Sequence, residues 1–386
     1  MTKKSTTLIL RFSSLGDVAM TVPVLRCITQ KYPDDKFIFV TNDKFSPLFD
    51  EFENLEVFAV DFKKSYKGLF GLLKLFRNLL KIRPSKIVDL HSVIRTKIIS
   101  VLFKLSGYQI ASLDKNRRGR RLLTRKKNKI FKPLKSVQLL YQDTFNKIGY
   151  NIDLMRDHSF PRLAELSWAN LYYDFRRSDY REDFWIGIAP FAKHKNKVYP
   201  FDLMQKLVEL LSKKTFMYDG GAHRKFYLFL FGHGDSEAKL LEQLNGKDEY
   251  TFNINGRFAV PDTDNGFFFE EHEREPNKND IFRSELELIS NLNLMISMDS
   301  ANGHLAANYA VPVITLWGHT HPYAGFTTFN YDSKNQFTVD REKFPMIPTS
   351  IYGNKTTNGY DDAMRTIKVD EIVKRVDEIC EEWVED

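Results

Sequence analysis

The sequence has few of the features that mark secreted or membrane-spanning proteins. Its 386 residues include only two cysteines, Cys27 and Cys380, which argues against a disulfide-bonded scaffold and is typical of a reducing compartment. No run of 18 apolar residues occurs, although a helix that crosses a bilayer needs about that length. The apolar core of the opening segment is three residues long, Leu8 to Leu10, which is too short for a signal peptide. We therefore expect a cytoplasmic protein.

Two widespread nucleotide-binding fingerprints are also missing. The segment FSSLGDV, Phe12 to Val18, joins a strand-like apolar run to a helix-like pattern. It has neither the G-x-G-x-x-G spacing of a dinucleotide site nor the lysine of a Walker loop. A nicotinamide-dependent dehydrogenase is therefore disfavoured.

Positive charge is concentrated in one segment of a chain whose formal net charge is +7. Residues 114–135 hold eleven Lys and Arg against one Asp, whereas residues 361–386 hold ten acids against four bases. The basic block predicts an anionic partner, which could be a phosphorylated glycan, an anionic lipid or a nucleic acid. No recognised nucleic-acid-binding module accompanies it, so nucleic acid is not expected. A solvated basic loop is the alternative.

Strand-like and helix-like segments alternate in both halves of the chain, which predicts parallel sheets with right-handed crossovers. We predict an α/β protein with the GT-B architecture, two Rossmann-like domains facing a cleft, with boundaries at residues 1–165 and 180–360. A helical segment, 361–386, could pack back on the N-terminal domain. The charged stretch 161–182 is the predicted connection, and the polar stretch 260–280 is a predicted insertion loop. The predicted strands are TLILRF, KFIFVTN, EVFAVD, KIVDLHS, YQIASLD, DFWIGIAPFA, KFYLFLFGHGD, YTFNING, LNLMISMD and PVITLWG, and the predicted helices include 18–31, 66–82, 93–106, 136–148, 201–213, 236–244, 285–291 and 369–383.

A carboxylate, Asp17, stands where the first predicted strand meets the first predicted helix. In open α/β sheets, ligands bind beyond the carboxyl ends of the strands, so this loop is a candidate site. Gly16 would allow a tight backbone path there. The alternative is structural, because Asp is a favoured helix N-cap and interacts well with the positive end of the helix dipole.

Two loops of the second half carry groups that suit a phosphate. The stretch SMDSANGHLAANYA places residues 299–303 at the start of a helix of small residues, where free backbone N–H groups bind anions. The stretch APFAKHKNKVYP carries Lys193, Lys195 and Lys197, which suit a diphosphate. The alternatives are a capped helix start with a core-facing His304 and a solvated run of charge.

Taken together and in this order, these loops resemble the motifs of glycosyltransferase family 9, the ADP-heptose:lipopolysaccharide heptosyltransferases. LILRFSSLGDVAMTVPVLR is similar to the family's opening motif, S-x-G-D-hydrophobic after the first strand. MISMDSANGHLAANYAVPVITLWG is similar to its D-[TS]-G-x-x-H-x-A-A block, KHKNKVYP to its K-x-[WY]-P stretch, and LFGHGDSEAKLLEQL to its nucleotide-contacting loop and helix. The resemblance covers nearly the whole chain, residues 7–325.

The resemblance implies an inverting transfer without a metal or other cofactor, in which the nucleotide-sugar is a co-substrate. The family's proposed base corresponds to Asp17, and Lys197 corresponds to a lysine that meets the charge of the departing diphosphate. Asp299-Ser300-Ala301 stands where the family usually has Asp-Thr-Gly, so the donor's nucleotide and sugar stay open. The implied donor-binding residues are Lys193, Lys195, Gly232, Glu237, Asp299, Ser300, Ala301, Asn302, Gly303 and His304. The implied acceptor-binding residues are Ser14, Gly16, Arg117, Arg118, Arg120 and Arg121.

We therefore expect a glycosyltransferase that moves a sugar onto a lipopolysaccharide core or a related surface glycan, with heptose from ADP-heptose as the family's usual donor. The basic block would contact the phosphorylated glycolipid acceptor and hold the enzyme peripherally at the anionic cytoplasmic leaflet of the membrane. A non-catalytic nucleotide-sugar-binding protein and a family member with a different donor sugar are the alternatives.

Overall fold

The computed structural model describes residues 5–161, 183–218, 221–245, 250–254, 277–355 and 357–385. The chain divides into two compact units. Unit 1 comprises residues 1–119 and 134–160, and unit 2 comprises residues 120–133 and 161–386. The predicted connection and most of the predicted insertion loop lie outside the described residues. Part of the basic block, residues 120–133, groups with unit 2 although it follows the strands of unit 1 in sequence.

Unit 1 is built on a parallel sheet of five strands in the order β3-β2-β1-β4-β5. The central strand, β1, buries Leu8, Ile9 and Leu10 completely. Helices on both faces of a parallel sheet explain such a continuous apolar run. All five predicted strands of the first half are confirmed. Their bounds are β1 Thr6–Leu10, β2 Lys36–Thr41, β3 Leu55–Ala59, β4 Lys86–Asp89 and β5 Gln109–Ser112.

The helices of unit 1 follow the strands in alternation. The single helix predicted over 18–31 is divided, because α1 ends at Ala19 and α2 starts at Val22 with Pro23 in its first turn. Proline lacks an N–H and fits the first turn of a helix, so the sequence begins a new helix there. The bounds are α1 Leu15–Ala19, α2 Val22–Lys31, α3 Gly68–Leu80, α4 Ile94–Leu105, α6 Val137–Asn146 and α7 Leu154–Asp157, with a 3-10 helix at Asp43–Phe49. The helix α5, Arg117–Thr124, includes residues of both units.

The sheet of unit 2 has seven strands in the order β12-β11-β10-β6-β8-β7, with β9 also paired to β8. One edge departs from the predicted parallel pattern, since β7 pairs antiparallel with β8. The segment TFMY of β7 alternates exposed and half-buried residues over only four positions, so its signal in the sequence is weak. The bounds are β6 Phe184–Ala189, β7 Thr215–Tyr218, β8 Ala222–Phe231, β9 Thr251–Ile254, β10 Leu294–Met298, β11 Val313–Trp317 and β12 Gln336–Thr338.

The helices of unit 2 include one that starts earlier than predicted. The helix predicted from residue 285 begins at Lys278, because Asn277 caps it and the Asp280 carboxylate accepts a hydrogen bond from the Asn277 amide. The end of the predicted insertion loop, residues 278–280, is therefore helical. The bounds are α8 Phe201–Ser212, α9 Gly234–Asn245, α10 Lys278–Ser290, α11 Ala301–Ala307 and α12 Val369–Glu385, with short 3-10 helices at Lys195–Lys197, Pro322–Ala324, Ser333–Asn335 and Ala363–Thr366.

The C-terminal helix α12 packs into the core of unit 2. Ile372 and Val376 are fully buried there, and the Trp383 ring meets that of Phe184 edge-on at 5.3 Å between centroids. The apolar stripe read from the sequence is thus confirmed. The structure places this stripe on the second unit, which differs from our expectation that the segment packs back on the N-terminal domain.

Candidate functional site

Asp17 lies in the first turn of α1, directly after β1. Its carboxylate Oδ2 accepts a hydrogen bond from the Ser14 hydroxyl at 2.7 Å and from the Ser14 amide at 3.3 Å. Ser14 is the helix N-cap and Asp17 is the third helical residue, so the two form a capping box. The structural alternative for Asp17 is therefore real, but its position differs from the N-cap we expected. Gly16 is a helical residue here and does not adopt a left-handed backbone conformation.

A buried arginine holds the Asp17 carboxylate in its charged form. Arg11 Nη2 lies 2.6 Å from Asp17 Oδ2, and Arg11 Nη1 donates to the Leu90 carbonyl at 2.9 Å. Burial raises the pKa of Asp17, but Arg11 and the two Ser14 hydrogen bonds lower it by more, so the pKa lies below its ordinary value. The side chain is 24% exposed. Asp17 is thus an ionised carboxylate that solvent can reach.

The end of the neighbouring strand β4 adds two groups that we did not predict. His91 Nδ1 accepts a hydrogen bond from the Phe12 amide at 3.3 Å, which places the ring proton on Nε2. Burial, reinforced by Arg11 and Lys115, lowers the pKa of His91 to about 3, so the ring is neutral at physiological pH. Asp89 is fully buried and accepts from the amides of His91 and Ser92. The sequence could have indicated both residues, because KIVDLHS places them at the carboxyl end of a strand, where ligands bind in open α/β sheets.

In unit 2, Lys197 forms an ion pair with Asp299. The Lys197 Nζ to Asp299 Oδ2 distance is 2.9 Å, and the side chains are only 14% and 7% exposed. Lys197 closes the 3-10 helix after β6, and Asp299 follows β10, the adjacent strand. Lys193 and Lys195 are exposed. Of the three predicted lysines, Lys197 is therefore the one that the fold holds in a fixed position.

The segment around Gly353, which sequence reasoning missed, supports Lys197. Gly353 has a φ of +74°, and a Cβ at this position would collide with the Lys197 side-chain stem. Asn196 donates from Nδ2 to the Gly353 and Lys355 carbonyls at 3.2 Å each. The His319 amide donates to the Asn196 carbonyl at 2.9 Å. Three loops are thereby joined at the base of Lys197.

The predicted phosphate loop forms the start of α11. Ser300 is its N-cap, and the Ser300 hydroxyl lies 3.1 Å from that of Ser297. A Cβ at Gly303 would approach Val313 Cγ1 to 3.3 Å, so this glycine lets the helix pack closely on β11. His304 is buried, as the core-facing alternative requires. Ala301 and Asn302 are half-buried in the first turn.

The loop after β8 contains the predicted ribose-binding segment. Glu237 Oε2 accepts a hydrogen bond from the His233 amide at 2.7 Å. A Cβ at Gly232 would lie 3.0 Å from Leu241 Cδ1 and 3.1 Å from Phe191 Cε2, so the protein's own side chains already occupy the space beside this glycine. Strands β8, β6 and β10 are neighbours. Their carboxyl ends therefore bring the loops of Glu237, Lys197 and Asp299 to one edge of the sheet.

The predicted acceptor-binding arginines differ in their environments. Arg117, Arg118 and Arg121 of α5 are exposed. Arg120 instead donates from Nη1 to the Tyr352 hydroxyl at 3.1 Å and lies over the Phe326 ring at 5.1 Å from its centroid. Arg120 is thus partly engaged within unit 2.

The rest of the segment 120–133 is fastened to unit 2 by two side chains. Lys129 Nζ donates to the carbonyls of Met346 and Pro348. The Phe131 ring has the Arg341 guanidinium 3.3 Å from its centroid and the His321 ring at 4.8 Å on centroids. This part of the basic block is therefore a packed element and not a wholly solvated loop.

No group of three or more His, Cys, Asp or Glu side chains in the described part of the chain is arranged to hold a metal ion. No helix within the described ranges combines the length and the apolar character needed to cross a membrane.

Comparisons with known proteins agree with the resemblance found in the sequence. The model of the family described as glycosyltransferase family 9 (heptosyltransferase) matches residues 282–348, which include the start of α11. The chain is 21% identical over 320 residues to the lipopolysaccharide core heptosyltransferase OpsX of Haemophilus influenzae, covering 81% of this chain and 79% of that protein.

Solved structures show the same fold. A glycosyltransferase family 9 structure from Veillonella parvula superposes with a TM-score of 0.70 at 15% identity, covering 99% of both chains. The E. coli heptosyltransferase WaaC with ADP gives a TM-score of 0.56 at 15% identity, covering 97% of this chain and 99% of that one. The predicted GT-B fold with two Rossmann-like domains is therefore confirmed.

Proposed function

We propose that this chain, a glycosyltransferase whose residues 282–348 match the family 9 model, transfers heptose from ADP-heptose to a lipopolysaccharide core. The relative OpsX is named for that reaction class, and the neighbour WaaC was solved with ADP. The proposal includes inversion at the anomeric carbon and a transfer that needs no metal. The observation that carries it is the Asp17 carboxylate, which Arg11 keeps ionised at the end of β1.

The proposed role of Asp17 is to take the proton of the acceptor hydroxyl as the new glycosidic bond forms. The ion pair and both Ser14 hydrogen bonds use Oδ2. We propose that Oδ1 meets the acceptor. A carboxylate of lowered pKa is a weak base towards a ground-state alcohol, but it accepts the proton when bond formation makes that hydroxyl acidic. Because inversion is a single displacement, one base is sufficient.

The proposed role of unit 2 is to hold the donor and to meet the charge of the departing diphosphate. Lys197, with the exposed Lys193 and Lys195, supplies positive charge, and the N–H groups of residues 300–303 supply hydrogen bonds. Asp299 orients Lys197 through their 2.9 Å ion pair. We assign the ribose to Glu237 in the first turn of α9. Removal of one such charge-stabilising contact typically costs about 2.7–4 kcal/mol in the transition state.

The proposal is tested by separating donor binding from turnover. ADP-heptose should raise the melting temperature of the wild type more than GDP-, UDP- or CMP-sugars do. Asp17→Asn should keep that shift and lose turnover by about 10²-fold or more. Asp34→Asn, an exposed aspartate before β2 at the amino ends of the strands, is the matched control and should leave both unchanged. Full turnover by Asp17→Asn would remove Asp17 from the chemistry.

A non-catalytic sugar-nucleotide-binding protein is the second candidate. The capping box and the Arg11 ion pair give Asp17 a structural role that needs no reaction. This alternative predicts a donor-induced melting shift with no sugar transfer in the wild type. A melting-temperature shift with another nucleotide-sugar, accompanied by transfer of its sugar, would instead assign a different donor. Ala301, at the position where the family usually has glycine, is consistent with a different donor.

A further inference from the structure

Two adjacent helices of unit 1, α3 and α4, expose an unusual share of large apolar side chains. Leu69 and Phe70 on α3 are 61% and 87% exposed. Ile94, Val101 and Leu105 on α4 are 78%, 55% and 81% exposed. These five are nearly half of the eleven exposed large hydrophobic residues in the described part of the chain. Clustering on two packed helices marks an interaction surface, whereas single exposed apolar residues are ordinary.

Burial of the core does not explain this exposure. Leu72, Leu75 and Leu79 of α3 already fill the core, as do Ile99 and Phe103 of α4. At 100° per residue, Phe70 points away from the core stripe of α3. The helix α4 carries a second apolar stripe opposite its core stripe, formed by residues 94, 98, 101 and 105 at the spacing i, i+4, i+7, i+11. Within this stripe Ile98 is half-buried against the core, and the other three are exposed.

The formal charge of the two segments that contain these residues is of one sign. Residues 62–83 and 94–108 contain no Asp or Glu, although the chain as a whole has 50 acids. All ten basic side chains of the two segments are exposed. They are Lys63, Lys64, Lys67, Lys74, Arg77, Lys81, Arg83, Arg95, Lys97 and Lys104. We call these bases and the five exposed apolar residues the α3–α4 surface.

We propose that the α3–α4 surface docks on the face of an anionic lipid bilayer, with its apolar side chains among the headgroups and its bases on the lipid phosphates. Long basic side chains can cover apolar surface while their charges stay in the headgroup layer. A second copy of this chain fits less well, because a two-fold contact would bring ten bases against ten bases. Charge complementarity therefore selects the bilayer.

This assignment goes beyond the proposed function and does not depend on it. It also differs from the membrane contact that we expected through the basic block. In that block Arg120 and Lys129 are engaged in contacts within unit 2, and Ile130, 43% exposed, is its one large exposed apolar residue among those described. The α3–α4 surface combines positive charge with a cluster of apolar residues, which peripheral binding requires.

The test is co-sedimentation of the full chain with vesicles of phosphatidylcholine and phosphatidylglycerol, without donor or acceptor. Phe70→Ser/Ile94→Ser/Leu105→Ser should weaken binding by roughly tenfold or more. Met155→Ser/Met217→Ser/Tyr331→Ser, which changes three other exposed residues, should bind as the wild type does. Lys67→Gln/Lys74→Gln/Lys97→Gln/Lys104→Gln should lose about fivefold per charge. Arg117→Gln/Arg118→Gln/Arg121→Gln/Lys126→Gln removes four charges from the basic block instead. As the matched control, it should bind as the wild type does.

A second readout reports on insertion. Phe70→Trp should gain fluorescence that brominated lipids quench, whereas Met217→Trp should not. Melting curves verify that each variant is folded, which is expected because every changed side chain is exposed. Equal binding to pure phosphatidylcholine, unchanged binding of both α3–α4 variants, or loss only in the basic-block variant would each overturn the proposal. So would a wild-type dimer that the apolar variant dissociates. Sugar transfer with a soluble acceptor is measured separately and can fail or succeed independently.

Discussion

Asp17 shows how one residue can serve both the fold and the chemistry. Its Oδ2 atom completes the capping box of α1 and pairs with buried Arg11, which lies 2.6 Å away. The ordinary pKa of Asp is 3.8 and the value in the folded protein is lower. The pair therefore stabilises the folded state above the unfolded pKa, and this contribution is lost as the pH falls through the folded value.

Removal of the Arg11 guanidinium should raise the pKa of Asp17. In Arg11→Ala, burial is no longer offset by the arginine, so the pKa of Asp17 rises and the acidic limb of the kcat/KM profile moves to higher pH. The variant should also lose about 3 kcal/mol of stability, because a buried charge pair is broken. A pH–rate profile and urea unfolding measure the two effects. Arg77→Ala, an exposed arginine of α3, should change neither, and an unmoved acidic limb would contradict the assigned role.

Gly353 should be required for the position of Lys197 as well as for its own turn. Gly353→Ala places a Cβ against the Lys197 stem at a φ of +74°, whereas Gly359→Ala at +78° meets nothing within 4 Å. Both variants carry the cost of a left-handed alanine, about 1 kcal/mol. Gly353→Ala should lose more stability in urea and should also weaken the donor-induced melting shift. Equal effects of the two substitutions would show that the contact between residue 353 and Lys197 affects neither stability nor donor binding.

At the scale of elements, periodic apolar patterns predicted the strands of both sheets and the long helices. These patterns did not predict features that depend on a single local residue or on a contact between two loops. Pro23 divides the predicted helix 18–31, and Asn277 starts α10 earlier than its apolar pattern does. The Lys197–Asp299 pair joins residues about one hundred positions apart, which spacing in the sequence cannot reveal. The loop motifs predicted the site region, but the supports at Asn196 and Gly353 required coordinates.

The docking of α12 should account for much of the stability of unit 2. Ile372 is fully buried in that core, so Ile372→Ala should cost about 2–5 kcal/mol. The change is measured by urea unfolding of the full chain, followed through the ring contact of Trp383 with Phe184. Lys374→Ala, 80% exposed on the same helix, should cost less than about 0.5 kcal/mol. A similar cost for both variants would contradict this packing.

At the scale of the whole molecule, sequence order and structural grouping differ. The pattern of strands predicts two successive domains, and the folds of both units agree with it. The segment 120–133 nevertheless belongs to unit 2. Its basic composition predicted an anionic partner, with a solvated loop as the alternative. It did not predict the packing on unit 2, because contacts such as Lys129 to Pro348 link positions more than two hundred residues apart. Composition gives the charge of a segment, but the unit in which the segment packs depends on contacts with residues distant in sequence.

Phe131 should control how firmly this segment is held. Its ring has the Arg341 guanidinium 3.3 Å from its centroid and contacts the His321 ring edge-on, and such a half-buried cation–π contact is worth about 1–2 kcal/mol. Phe131→Ala should therefore raise the rate of tryptic cleavage at residues 125–127 by about tenfold or more, since cleavage follows the population of the opened segment. Ile130→Ala, next to it and 43% exposed, should leave the rate unchanged. Equal cleavage rates would show that other contacts fasten the segment.

The grouping of residues 120–133 with unit 2 also bears on the order in which contacts can form during synthesis. On the ribosome, α6 of unit 1 emerges only after this segment, while its partners at residues 321–352 are synthesised much later. When α6 becomes available to unit 1, the side chains of residues 120–133, Phe131 among them, therefore still lack these partners. A fragment that ends at residue 160 would contain residues 120–133 without the residues at 321–352 that contact them.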